Sequence, residues 1–87
     1  MLDRDRVMLA NAERVGQAAM GVISGVQVRF SPEEQVLGVA LTLAALVTHH
    51  DSHGGTILEA AERILAHFKD VAEVKAVEAY IQGELSL

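Results

Sequence analysis

Ser31-Pro32-Glu33-Glu34-Gln35-Val36-Leu37-Gly38-Val39-Ala40-Leu41-Thr42-Leu43-Ala44-Ala45-Leu46-Val47 is the stretch that decides the fold class. Its first four residues are a helix start. The Ser31 hydroxyl can accept from a free N–H of the first turn, Pro32 sits where no N–H is needed, and Glu34 can reach back to close a capping box. Two carboxylates in the first turn suit the positive end of the helix dipole. The next twelve residues, 36–47, hold no charge. A helix that is apolar on every side must be surrounded by protein or lipid. A membrane span needs about 20 such residues, so protein is the expected surrounding. This helix is expected over 32–50.

Apolar spacing extends the helical reading to both sides. Met8, Ala12, Val15, Ala19, Val22 and Val26 recur every three or four residues, one face of a helix. Asp3 can cap it, and Gly25 can end it in a left-handed turn. The alternation in Val26-Gln27-Val28-Arg29-Phe30 suggests a short extended linker. Beyond residue 50, Thr56-Ile57-Leu58-Glu59 and Asp70-Val71-Ala72-Glu73 have capping-box spacing. Ile57, Leu58, Ala61, Ile64, Leu65 and Phe68 form the stripe of a helix reaching Lys69. Val74, Val77, Ile81 and Leu85 form the next. Continuing the first stripe at about 3.6 residues per turn would demand apolar residues near Lys75 and Glu78. The phase slips there, so a break is expected near Lys69 and Asp70. The fold expected is all-α: a single domain over 1–87, a small bundle of three to four helices, with the second helix central and largely buried.

Composition narrows the function. The chain has 87 residues, of which 51 % are AVILMFWYC. Its mean hydropathy is +0.27, too apolar for disorder and high for a small monomer. Seven Lys plus Arg against twelve Asp plus Glu give a net charge of −5, the wrong sign for a nucleic-acid binder. Arg4, Arg6 and Arg14 are interleaved with Asp3, Asp5 and Glu13 and make no positive strip. Phe30, Phe68 and Tyr80 are too few aromatics for a stacking platform. The absence of Cys excludes disulfides, thiolate metal sites and a cysteine nucleophile. Met1-Leu2-Asp3-Arg4-Asp5-Arg6 does not open a secretory signal, so the cytoplasm is the expected compartment.

The richest chemistry lies in Thr48-His49-His50-Asp51-Ser52-His53-Gly54-Gly55. Three of the four histidines fall there beside a carboxylate. If the helix continues, His49 and His53 stand one turn apart and can pinch a divalent transition metal with Asp51. The competing reading is a helix C-terminus, where imidazoles suit the dipole and the two glycines reverse the chain. Asp51-Ser52-His53 holds the letters of a hydrolase triad, but adjacent residues rarely face one another. Gly54-Gly55-Thr56 lacks the lysine and the preceding strand of a phosphate loop. No Glu-x-x-His motif supports a carboxylate-bridged metal pair.

The expected function is therefore association rather than catalysis: a small acidic helical accessory protein, not an enzyme and without a cofactor. It is expected to form a homo-oligomer, a dimer in the first instance, and to dock on another protein. Val36, Val39, Leu43, Leu46 and Val47 are the expected self-association residues. The alternative is a metal-binding or metal-sensing protein using His49, Asp51 and His53.

Overall fold

A computed structural model describes residues 3–50 and 55–85. All regular structure among them is helical: α1 (Arg4–Met8), α2 (Ala12–Val26), α3 (Pro32–His50), α4 (Thr56–His67) and α5 (Ala72–Gly83). Five helices replace the expected three to four, because the first expected helix is two. Asp3 does cap α1, accepting from the Arg6 N–H at 3.1 Å. Asn11 then starts a new helix by accepting from the Arg14 N–H at 2.9 Å. An Asn amide competes with the backbone ladder and is worth more as a cap than inside a helix. The stripe through Met8 and Ala12 runs across this break without a change of spacing, which hid it.

Other boundaries also moved. The α2 helix runs through Gly25 to Val26, and Gln27 follows in right-handed conformation. The expected extended linker is a turn, with the Arg29 and Phe30 N–H groups both donating to the Val26 carbonyl at 3.3 Å. Five alternating residues with no strand to pair with gain nothing from extension. The Ser31 capping box is present: the Glu34 N–H donates to Ser31 Oγ at 3.2 Å, and the Ser31 N–H donates to Glu34 Oε1 at 2.9 Å. Thr56 is not a cap but the first residue of α4. The cap is Gly55, whose φ of 78° suits a residue without a side chain. The break between the last two helices lies where the phase slip puts it, although Val71 rather than Asp70 takes the cap position.

Two helix pairs make the body, α2 on α5 and α1 on α4. In the first pair the backbones meet closely. A Cβ built on Gly16 would lie 2.5 Å from Glu73 Cβ, so only glycine admits this approach. Ile23 of α2 and Val74 of α5 are buried. In the second pair, Arg63 Nη1 donates to the Met8 carbonyl at 2.9 Å, and its guanidinium stands 6.0 Å from the Phe68 ring centre. The buried apolar residues are Ala12, Ile23, Ala60 and Val74, and none of the described large side chains is fully buried.

The helix expected at the centre is not there. Of the 19 residues of α3 only Gln35 is buried, and the two main helix pairings do not include it. The whole chain exposes 6257 Å². A folded monomer of 9.3 kDa would expose about 5,000 Å². Its radius of gyration, 13.2 Å, likewise exceeds the roughly 12 Å of a compact chain this long.

Replacing Gly16 by Ala forces the Gly16 Cβ into Glu73 and should separate α2 from α5. Denaturant unfolding is expected to show a loss of about 1–3 kcal/mol. Gly21→Ala is the control, since a Cβ there meets nothing within 4 Å. It is expected to gain stability, because Ala is the better helix former by up to about 1 kcal/mol.

Candidate functional site

The structure sets α3 apart by its first turn. Gln35, 5 % exposed, is one of two buried polar residues among those described. Its Nε2 donates to the Phe30 carbonyl at 2.8 Å, closing the turn that leads into the helix. Its Oε1 accepts from Tyr80 Oη at 2.6 Å, tying that turn to α5. One amide thus holds both the preceding turn and a neighbouring helix. A buried amide with both ends satisfied is directional in a way that apolar contact is not.

Beyond that anchor, α3 presents apolar surface to its surroundings. Leu37 is 70 % and Leu41 73 % exposed. Its two threonines add no polarity. Thr42 Oγ1 donates to the Gly38 carbonyl at 2.9 Å and Thr48 Oγ1 to the Ala44 carbonyl at 2.8 Å, so both hydroxyls serve the helix's own backbone. A groove of about 550 Å³ runs between α2 and α3, walled by Val22, Val26, Phe30, Val39, Leu43 and Leu46. A second hollow of about 430 Å³ continues it toward His49 and His50, sharing Thr42 and Leu46.

The five expected association residues are thus divided. Val39, Leu43 and Leu46 line the groove, whereas Val36 and Val47 do not. Leu43 and Val47 are half-buried; Val36, Val39 and Leu46 are exposed. Sequence reading missed Val22, Val26 and Phe30, the opposite wall. Phe30 carries a recognisable signal, since a large aromatic directly before a helix cap packs either on the core or against a partner.

The expected metal ligands are not brought together by what the structure describes. His49 and His50 are exposed in the last turn of α3. Asp51 and His53 lie outside the described residues. His67 is exposed at the far end of α4. Among the described residues no three His, Asp or Glu side chains are grouped to hold a metal ion. None of the described helices is long and apolar enough to cross a membrane.

The Tyr80–Gln35 bond can be tested apart from association. Tyr80→Phe keeps the ring and removes the donor, leaving a buried oxygen without its partner. The expected cost is about 1–2 kcal/mol by urea unfolding at fixed protein concentration. Amides in the first turns of α3 should exchange faster with solvent, while those of α2 near Gly16 should not.

No protein-family model, curated protein or solved structure matches the chain.

Proposed function

We propose that this is a small acidic helical interaction protein, which self-associates through α3 and serves as an accessory subunit to another protein. The observation that carries the reading is the exposure of α3. Its uncharged run 36–47 turns Leu37, Val39, Leu41 and Leu46 outward, along an apolar groove continuous with α2. Contiguous apolar surface of this kind marks a binding face, since a soluble chain gains by covering it. The chain is too short to cover it alone, as its other four helices are already engaged in two pairs. A second copy supplies an identical surface at matched concentration, so a homodimer is the first product of this arrangement. The association residues are Val39, Leu43 and Leu46 in the groove, with Val36 and Val47 completing the apolar circumference of α3. Catalysis is no part of this reading. The cytoplasm, where a protein without cysteine needs no oxidative maturation, is its proposed compartment.

Light scattering after size exclusion tests the reading directly. The tag-free chain should elute with twice the mass of 9.3 kDa at micromolar concentration. Val39→Glu with Leu46→Glu would bury uncompensated carboxylates in any interface that uses the groove. This variant should dissociate at least about 100-fold more readily, with unchanged helical circular dichroism. A wild-type monomer at every concentration would overturn the proposal.

A further inference from the structure

We infer that two copies pair through antiparallel α3 helices, each seated along the α2–α3 groove of the other, so that α2 and α3 of both copies form one four-helix core. The inference rests on the self-association proposed above and adds its partner geometry. Four observations carry it.

The first is the exposed stripe of α3. Glu34, Gly38, Leu41, Ala45 and His49 follow one another at spacings of four, three, four and four residues, which puts them on one face. All five are exposed. Glu34 and Gly38 of this stripe also line the groove, and the half-buried Leu43 lies on its groove side.

The second is the glycine inside α3, Gly38. A glycine inside a helix weakens it and needs a reason. In α2 the reason for Gly16 is visible: α5 comes so close that a Cβ would collide with Glu73. Gly38 is likewise inside its helix, yet a Cβ there meets nothing within 4 Å. A helix backbone as close as α5 is to Gly16 would supply the missing reason.

The third is charge. The first turn of α3 carries Glu33 and Glu34, and its last turn carries His49 and His50. Antiparallel pairing about a two-fold axis between Leu41 and Thr42 sets Glu34 of each copy beside His49 of the other. Imidazole N–H donors then meet carboxylates, and the helix dipoles oppose. Parallel pairing would set carboxylate against carboxylate. In the antiparallel register Gly38 faces Ala45 of the second copy, and Leu41 faces Thr42, so the small residues admit the leucine.

The fourth is area. The chain exposes 6257 Å², about 1,300 Å² more than a compact monomer of its mass. A standard stable interface takes about 800 Å² from each partner. The surplus is enough for one helix-on-helix interface extended over the adjoining groove.

The natural absence of cysteine makes the test clean. Three variants are oxidised under mild conditions as dilute full-length protein: Glu34→Cys, His49→Cys, and the two together. Within one chain these positions lie about 22 Å apart along the helix at ~1.5 Å per residue, beyond the reach of a disulfide. The expected result is covalent dimer from the double variant and none from either single variant. Self-crosslinking by each single variant would mean parallel helices and would overturn the inference, while leaving self-association standing. A light-scattering dimer that crosslinks in no variant would likewise overturn the α3 geometry alone. A monomer throughout would overturn both, and a foreign helix would then be the occupant of the groove. A separate variant, Gly38→Leu, should raise the dimer dissociation constant at least tenfold with helix content kept. An unchanged constant would overturn the close approach at Gly38.

Discussion

Every placement of the most apolar helix in this protein passes through Gln35. The amide takes a hydrogen from Tyr80 Oη and gives one to the Phe30 carbonyl. These bonds fix the origin of α3 against α5 and shape the turn before it. Beyond the first turn every residue of α3 except the half-buried Leu43 and Val47 is exposed. An apolar helix held only by its side chains would roll until some apolar face was covered. A helix held by a directional amide at one end cannot choose its roll freely. The groove between α2 and α3 therefore has a defined floor and walls in a single chain, ready for what fills it.

Four helices are spent on two pairs, with Gly16 against Glu73 at the closest approach and only Ala12, Ile23, Ala60 and Val74 as buried apolar residues among those described. Small residues bring backbones close but bury little area each, and area is the main source of hydrophobic stabilisation. The body is thus tightly approached and thinly insulated. Large aliphatic side chains stay exposed on several helices, with Leu37, Val39, Leu41 and Leu46 gathered on α3.

Much of this order was legible from residues alone. Ser31 and Glu34 form the capping box that their spacing promised, because caps are local and need no tertiary information. The break before Ala72 followed from the slipped stripe at Lys75 and Glu78, since a helix cannot keep two phases. Asn11 was overlooked because the stripe from Met8 to Ala12 keeps a helical interval across a real break. Periodicity reports which residues share a face, not whether the backbone between them is continuous. The Tyr80–Gln35 bond had no signature at all: the two residues are 45 positions apart, and each alone reads as ordinary helix surface. The run 36–47 was expected at the centre of the bundle, and in the structure it lies mostly exposed. Composition says which residues are apolar; it does not say what surrounds them.

That last distinction bears on why exposed apolar surface need not lead to uncontrolled aggregation. A patch that fits a different patch on the next molecule can grow without limit, whereas a patch that fits itself closes after two copies. A helix with acid at its start, imidazole at its end and no charge between is complementary to its own reverse. Pairing in that sense consumes the apolar run and leaves outward the faces that carry charge. The helix α3 carries Glu33 and Glu34, and the rest of the chain carries the remaining −3 of the −5 net charge. In the proposed pair, attraction would be confined to the uncharged stretch of α3 between Glu34 and His49 and repulsion to the charged remainder, so the distribution of charge along the sequence would set where assembly stops as well as where it starts.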